Sequence, residues 1–266
     1  MPDLSDKTAL VTGAGRGLGR AVALGLAGCG ARVALVARHE EQLAETAAAI
    51  RALGREAHVL PADVSRPAAV EALHAEVLAR MGSPAIVINA AGVFGPIAWI
   101  KDSDPNAWIE TLAINTIGPY LVCRAFLGAM VARGWGRIIN FSSAASLHTP
   151  GPLNSAYGTS KVALNQFTRH LAAELAGTGV TANVIHPGEV QTAMWAEIRD
   201  VAAAAGPAGE GYRSWAEEVA KTGGDDPQKT VDLVLKLVDE QSATTTGKFL
   251  WIADGMQRPI PSWGGE

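Results

Sequence analysis

Tyr157 and Lys161 lie four residues apart in the stretch YGTSK, and in a helix this spacing places both side chains on one face. A free tyrosine ionises with a pKa of about 10, and a neighbouring ammonium group favours the phenolate and lowers that pKa. Such a pair can donate and accept a proton. The spacing is also typical of an ordinary surface pair, so acid–base chemistry is predicted only if other functional groups converge on it.

A glycine-rich stretch near the start of the chain, TGAGRGLGR at residues 12–20, is a candidate phosphate site. Gly13, Gly17 and Gly19 follow an apolar run with the spacing G-x-x-x-G-x-G. A turn of this kind between a strand and a helix often binds phosphate, because the helix N-terminus offers free N–H groups and partial positive charge. The spacing differs from the common G-x-G-x-x-G fingerprint, and a purely structural turn is the alternative.

Short aliphatic runs alternate along the chain with longer amphipathic segments, which predicts strands separated by helices. Continuous apolar strands are typical of a parallel sheet that is covered on both faces. We therefore expect an α/β fold, a Rossmann-type doubly wound parallel sheet of about seven strands with helices on both faces, in one domain over residues 1–266. The predicted strands lie near residues 7–11, 31–37, 56–60, 84–88, 136–142, 180–185 and 248–252.

Four polar or glycine-containing stretches should meet at one edge of this sheet, since each follows a predicted strand. They are the glycine loop, Asn89-Ala90-Ala91-Gly92, Ser142-Ser143 and Pro187-Gly188. In open α/β sheets, ligands bind beyond the carboxyl ends of the strands, where the strand order reverses. The expected site is therefore this edge, with the helix that contains Tyr157 and Lys161 beside it.

Residues 193–227 contain short helical pieces around a Gly/Pro-rich break and no predicted strand, which indicates a substrate lid; a surface helical hairpin is the alternative. Aromatic side chains in this segment and after Gly92 could form an apolar pocket for a ring or an alkyl chain. The aromatic candidates are Phe94, Trp99, Trp195, Tyr212 and Trp215, and the polar candidates at the mouth are His148 and Glu189. Each aromatic residue, taken alone, is also compatible with core packing.

Taken together, these stretches resemble the single-domain short-chain dehydrogenase/reductase family over nearly the whole chain. The resemblance implies a nicotinamide dinucleotide cofactor, hydride transfer between it and a carbonyl or secondary alcohol, and a catalytic tetrad of Asn115, Ser143, Tyr157 and Lys161. In that family Tyr157 would deliver the proton, Ser143 would bind the carbonyl oxygen, Lys161 would lower the tyrosine pKa and bind the nicotinamide ribose, and Asn115 would hold a relay water. The cofactor-binding residues it implies are Gly13, Arg16, Gly17, Leu18, Gly19, Arg38, Asp63, Val64, Asn89, Ala90, Ala91, Gly92, Tyr157, Lys161, Pro187, Gly188, Val190 and Thr192.

One position departs from the family pattern. The family serine usually lies 13 residues before the tyrosine, a place that Ala144 occupies here, whereas Ser143 lies 14 before it. Alignment from the preceding strand selects Ser143 and puts one extra residue in the loop through Pro150 and Pro152. Ser142 and Ser146 remain lesser candidates.

Two arginines favour NADP(H) over NAD(H). The second predicted strand ends Val36-Ala37-Arg38, without the acidic residue that binds the ribose hydroxyls of NAD, and arginine there suits the 2′-phosphate of NADP. Arg16 within the glycine loop adds a second positive charge. Both arginines could instead be solvated surface charges, and Glu40 or Glu41 is near enough to complicate the assignment.

Composition narrows the remaining function classes. A formal net charge of −4 offers no electrostatic reason to bind nucleic acid or an anionic membrane, and two cysteines in apolar helical patterns make a disulfide framework unexpected. The six histidines show no spacing typical of a metal site. We expect a cytoplasmic homodimer or homotetramer, with no secretory signal and with a tail around Pro259 and Pro261 that does not continue a regular element. The alternatives are an NAD-dependent alcohol dehydrogenase and a non-catalytic nucleotide-sensing protein.

Overall fold

The computed structural model describes residues 1–148, 150–252 and 255–256, and in them one eight-stranded sheet runs through the molecule. The strand order is β3-β2-β1-β4-β5-β6-β7-β8, so the order reverses between β1 and β4. All neighbours pair in parallel except β7 and β8. The strands are β1 (Thr8–Thr12), β2 (Arg32–Ala37), β3 (Ala57–Pro61), β4 (Ile86–Asn89), β5 (Gly136–Phe141), β6 (Val180–His186), β7 (Phe249–Trp251) and β8 (Gly255–Met256).

Helices cover both faces of this sheet because successive side chains of the central strands point to opposite faces and both sets are apolar. In β1, for example, Val11 packs in one hydrophobic cluster with α1, α2 and α9, whereas Leu10 packs in the other with α3, α5 and α6. The helices are α1 (Gly17–Gly28), α2 (Glu40–Ala52), α3 (Pro67–Met81), α4 (Pro105–Leu112), α5 (Gly118–Arg133), α6 (Ser155–Glu174), α7 (Ala193–Ala204), α8 (Glu210–Thr222) and α9 (Pro227–Val238). The predicted doubly wound α/β fold is confirmed.

Two features of the fold go beyond the predicted pattern. The antiparallel strand β8 adds an eighth member to the expected seven, while Pro259 and Pro261 lie outside the described residues. Between α4 and α5, residues Ala113–Ile117 form a π-helical turn, so residues 105–133 are one continuous helical stretch. This is the one stretch in the described chain that is long and apolar enough to cross a membrane; 44% of its most apolar window is buried inside the protein, as in a core helix.

The segment predicted as a lid is helical. It consists of α7, a short 3-10 turn at Gly206–Gly209, and α8. Its first residue follows Thr192, whose side-chain oxygen accepts a hydrogen bond from the Trp195 backbone N–H and caps α7. The segment therefore begins directly beside the Pro187-Gly188 stretch that follows β6.

Candidate active site

A cleft of about 300 Å³ lies at the carboxyl ends of the strands, at the point where the strand order reverses. Most of the residues predicted to bind a cofactor line it. They are Gly13, Arg16, Gly17, Leu18, Gly19, Arg38, Asp63, Val64, Ala90, Ala91, Gly92, Tyr157, Lys161, Pro187 and Thr192. The stretches that the sequence placed at this edge do converge there.

Three residues predicted to bind the cofactor lie outside the lining of this cleft: Asn89, Gly188 and Val190. The Asn89 side chain points into the sheet, where its Nδ2 donates to Asn140 Oδ1 at 2.8 Å. At Gly188, which has a φ of +86°, an added Cβ would lie 2.8 Å from a carboxylate oxygen of Asp225. Asn89 and Gly188 thus have packing partners of their own beside the cleft.

The glycine loop serves close backbone packing as well as access to the cleft. At Gly13, with a φ of +67°, an added Cβ would lie 2.8 Å from the backbone nitrogen of Ala91, and a Cβ on Gly19 would collide with the Gly13 carbonyl. Gly17 starts α1 after Arg16, and no side chain caps this helix N-terminus. Uncapped N–H groups and the positive end of the helix dipole therefore meet the cleft, an arrangement that fits an anionic group such as a pyrophosphate.

Two arginines stand at the rim of the cleft. Arg38 Nη1 lies 3.6 Å from Glu110 Oε1, and Arg16 Nη2 lies 3.7 Å from Glu197 Oε1 of α7. Both arginine side chains are about half exposed or more, 49% and 62% respectively, so water screens these pairs and they are weak. Asp63 is the one carboxylate among the described lining residues.

Tyr157 and Lys161 occupy the first two turns of α6 and are both buried. The Tyr157 hydroxyl interacts with the Ser143 side chain, and the Lys161 ammonium lies 5.5 Å from the centre of the tyrosine ring. Lys161 Nζ donates to the Phe141 carbonyl oxygen at 2.8 Å, at the end of β5. An acid–base group, a hydroxyl and a cation therefore meet beside the cleft.

The direction of the tyrosine pKa differs from the sequence-based expectation. Burial raises the pKa of Tyr157 above its ordinary value, and the hydrogen bond with Ser143 only partly opposes this. Burial also disfavours the charged form of Lys161 and so lowers the pKa of its ammonium group to about 8. The expected lowering by Lys161 does not prevail because the phenol is buried and the ammonium is directed to a backbone carbonyl.

Among the three serine candidates, Ser143 is the one that faces the tyrosine. Ser142 is buried and lies 3.4 Å, hydroxyl to hydroxyl, from Ser146. The Ser146 hydroxyl in turn donates to the Ser143 carbonyl oxygen at 2.6 Å. Ser142 lines the cleft, whereas Ser143 Oγ accepts from Ala145 N at 3.2 Å and interacts with Tyr157.

Asn115 lies in the π-helical turn, and its side-chain amide bonds to Val93 and Ser160. Its Oδ1 accepts from Val93 N at 2.9 Å, and its Nδ2 donates to Val93 O at 2.8 Å and to Ser160 Oγ at 3.0 Å. These bonds fix the backbone after Gly92. π turns occur frequently at functional sites, but hydrophobic periodicity alone does not reveal them.

Of the proposed pocket residues, Phe94 lies nearest the catalytic group. Its ring stacks on Tyr157 with centroids 4.5 Å apart, and Tyr212 of α8 meets Phe94 edge-on at 5.9 Å. Tyr212 is also hydrogen-bonded with Asn154, the residue that caps α6. The segment predicted as a lid thus approaches Tyr157 through the Tyr212–Phe94 contact.

The remaining pocket candidates have other partners. Glu189 Oε1 accepts from Trp215 Nε1 at 2.9 Å, which ties α8 to the segment after Pro187. Trp99 is half exposed, and the Trp195 ring packs against the Arg199 guanidinium at 5.1 Å. His148 lies beside Trp251 of β7, with ring centroids 6.2 Å apart. His186, which the sequence analysis did not single out as a site residue, lies closer to the same tryptophan, at 4.5 Å.

Comparison with known proteins places these features in one family. A family model described as short chain dehydrogenase matches residues 7–203. The 3-oxoacyl-(acyl-carrier-protein) reductase FabG of Pseudomonas aeruginosa is 36% identical over 227 residues, which cover 83% of this chain and 90% of the relative. The chain spans less than two thirds of two fungal short chain dehydrogenases that it matches at 37% identity, namely 62% of that from Pseudocercospora fijiensis and 64% of that from Monascus ruber.

Solved structures with the same fold include both cofactor types. A phenylalanine-to-tryptophan variant of actinorhodin polyketide ketoreductase with NADPH superposes with a TM-score of 0.84 at 31% identity, covering 94% of this chain and 97% of that one. An NAD⁺-bound xylitol dehydrogenase also gives a TM-score of 0.84, at 30% identity, covering 95% and 99%. On the matched family model and these relatives, the chain belongs to the short-chain dehydrogenase/reductase family.

Proposed function

We propose that this oxidoreductase reduces a ketone or aldehyde with NADPH, with Tyr157 as the proton donor. The observation that carries the proposal is the contact of the Tyr157 hydroxyl with Ser143 beside the cleft that the glycine loop lines. Burial keeps the tyrosine pKa above its ordinary value, so the phenol retains its proton at neutral pH. A protonated, buried phenol is suited to donate a proton to an oxygen on which negative charge develops.

Each side chain near Tyr157 has a distinct role in this proposal. The Ser143 hydroxyl binds the substrate oxygen and stabilises the charge that develops on it. Lys161, anchored on the Phe141 carbonyl, supplies a positive charge near the phenol and binds the cofactor ribose. Asn115 fixes the Val93 backbone and so positions the loop after Gly92.

The cleft fits a nicotinamide dinucleotide, which when bound supplies the hydride. The uncapped N-terminus of α1 suits the pyrophosphate, and Asp63 and Val64 stand where the adenine would be contacted. Arg16 and Arg38 at the rim are proposed to bind the 2′-phosphate of NADP, since their guanidinium groups are accessible and weakly paired. The 2′-phosphate is the more strongly charged partner and would displace the glutamates.

The aromatic side chains next to Tyr157 support an apolar substrate. Phe94 packs against Tyr157 on one side and Tyr212 on another, so its ring lies directly beside the proposed proton donor. Aromatic surface at this place favours a carbonyl compound with an apolar or aromatic group. The similarity to a 3-oxoacyl-(acyl-carrier-protein) reductase and to a polyketide ketoreductase adds 3-oxoacyl thioesters to the candidates.

The test is NADPH consumption by the purified protein with alkyl ketones, aryl ketones, diketones and 3-oxoacyl thioesters, run in parallel with NADH. Turnover that is faster with NADPH and lost in Tyr157→Phe would support the proposal. Faster oxidation of alcohols with NAD⁺ would favour an NAD-dependent dehydrogenase instead. Tight NADPH binding without turnover of any substrate would favour a nucleotide-sensing protein.

A further inference from the structure

The backbone turn after Ser143 has a hydrogen-bond acceptor for each of its first three N–H groups. Ala145 N donates to Ser143 Oγ at 3.2 Å, and Ser146 N donates to the Ser143 carbonyl oxygen at 3.0 Å. The third donor, Ala144 N, has no acceptor within the turn and donates to Nδ1 of His186 at 3.2 Å. His186 thus connects the turn to the end of β6.

The imidazole of His186 is built into the protein and is not free to titrate near neutral pH. It is 8% exposed, and its ring packs against Trp251 of β7. Burial lowers the pKa of His186 to about 4, with Asp225 opposing this shift and His148 adding to it. The ring is therefore neutral, and since Nδ1 accepts a hydrogen bond, the proton resides on Nε2.

We propose that His186 is a positioning residue, which fixes the Ser143 hydroxyl for the reaction through its bond to Ala144 N. The inference rests on the proposed function, in which Ser143 binds the substrate oxygen. Ser143 Oγ is located by two contacts, the Ala145 N–H within the turn and the Tyr157 hydroxyl outside it. If the turn lost its link to β6, Ala145 N would move relative to the Tyr157 hydroxyl, and Ser143 Oγ could not keep both contacts. Misplacement of a reacting group by about 1 Å can cost about 100-fold in rate.

A matched pair of variants isolates the acceptor atom. Asparagine and leucine have the same branched shape. Only asparagine has a hydrogen-bond acceptor bonded to Cγ, the position that Nδ1 occupies in histidine. His186→Asn and His186→Leu both lose the ring packed on Trp251, so the difference between them reports the hydrogen bond. We expect kcat to fall about 10- to 100-fold in His186→Leu and to recover to within about threefold of the wild type in His186→Asn, with the KM for NADPH unchanged in both.

A double-mutant cycle with Ser143→Ala distinguishes positioning from general damage. If His186 acts through Ser143, the Asn and Leu variants should have equal kcat values when Ser143 is absent. An undiminished difference in the Ser143→Ala background, or equal losses in the two single variants, would overturn the proposal. His186→Ile, whose side chain has no hydrogen-bond acceptor and suits a β-strand, replaces the leucine variant if that protein does not fold.

Hydrogen exchange at the Ala144 amide tests the contact without any substrate. Exchange should be slow in the wild type and His186→Asn and at least tenfold faster in His186→Leu. Equal exchange rates in the two variants would overturn the positioning role. Absence of turnover in the wild type, by contrast, would refute the proposed reductase activity, and the exchange rates would still decide whether His186 fixes the turn.

Discussion

Burial of the Tyr157 phenol is what most affects its protonation state. Proximity of Lys161 alone predicts a lowered tyrosine pKa, but burial raises the pKa of Tyr157, and Lys161 Nζ is bonded to the Phe141 carbonyl. A protonated tyrosine is ready to donate. At the residue scale, burial therefore favours the protonated form of Tyr157, and the interaction with Ser143 lowers the tyrosine pKa in opposition to burial.

Removal of the Tyr157 hydroxyl should abolish most of the activity without unfolding the protein. General acid catalysis contributes about 10²- to 10⁴-fold, so we expect kcat in Tyr157→Phe to fall about 10³-fold while NADPH binding is retained. Steady-state kinetics and cofactor fluorescence would measure both. Tyr120→Phe is the matched control, because Tyr120 of α5 does not line the cleft and phenylalanine keeps its apolar ring. Similar activity in the two variants would remove Tyr157 from its proposed role.

Cofactor preference should depend on the two rim arginines. A hydrogen bond to a charged group contributes about 1.5 to 3 kcal/mol, so Arg38→Ala or Arg16→Ala should raise the KM for NADPH about 10- to 100-fold and leave the KM for NADH nearly unchanged. Arg38→Asp should shift preference toward NADH. Arg20→Ala is the control, since Arg20 pairs with Glu45 and does not line the cleft. An unchanged NADPH:NADH ratio in all the rim variants would contradict the NADP assignment.

Much of the site was predictable at the residue scale, and the exceptions have a common cause. The glycine loop, Tyr157 and Lys161 are local patterns, and neighbouring strands bring them together. The partners of Asn115 and His186 are not local: Asn115 bonds to Val93, 22 residues away, and His186 to Ala144, 42 residues away. Such contacts depend on the packing of elements, so no spacing in the sequence indicates them.

At the scale of elements, strands were more predictable than helix irregularities. In β1, β2 and β4 an uninterrupted apolar run ends at or just before a polar residue, and the strand bounds follow from this change. Strands β5 and β6 also contain buried polar residues, such as Arg137 and Asn183. The π turn at Ala113–Ile117 lies within a continuous apolar helical pattern and leaves no such mark. The two-residue strand β8 is likewise too short to give a periodic signal.

The cap of α6 should couple helix stability to catalysis. Asn154 Oδ1 accepts a hydrogen bond from Gly158 N at 3.0 Å, and this bond closes the helical turn that contains Tyr157. Asn154 also contacts Tyr212 of the lid segment. Asn154→Ala should lower the free energy of unfolding by about 1 kcal/mol and lower kcat several-fold. Asp226→Ala removes the equivalent cap of α9 and should cost similar stability with little change in kcat. Urea denaturation and kinetics on both variants test this; equal kcat losses would argue against coupling.

Burial of His186, at the end of β6, should make the free energy of unfolding depend on pH in the acid range. The folded protein binds a proton at His186 only near its pKa of about 4, whereas the unfolded chain does so near 6.5. As pH falls through this window the unfolded state takes up more protons, so the free energy of unfolding should fall by about 2 kcal/mol from pH 7 to pH 5 on this account. Urea denaturation should show this loss in the wild type beyond that in His186→Asn, which shares the other titratable groups. Parallel losses would contradict the assigned burial effect.

At the scale of the whole molecule, one helix serves both the site and the expected assembly. The inner face of α6 buries Tyr157 and Lys161, while Val162 on the same helix is exposed. Tyr120 of α5 meets Phe167 of α6 edge-on, with ring centroids 6.0 Å apart, so the two helices lie side by side. Ile117 and Tyr120 are also exposed, and together with Val162 they place apolar surface on these adjacent helices. Exposed apolar surface of this kind often marks a protein–protein interface.

We therefore predict that the protein self-associates through α5 and α6. Light scattering after size exclusion should give two or four times the chain mass of 27.6 kDa. The double variant Ile117→Glu/Val162→Glu should approach the monomer mass, because four or more carboxylates would be desolvated at a symmetric interface. Leu53→Glu adds charge at an equally exposed leucine just after α2 and should leave the mass unchanged. A monomeric wild type would refute the prediction.

Because α6 carries Tyr157, loss of the interface should also lower kcat. A monomer with full activity would show that α6 needs no partner to position Tyr157.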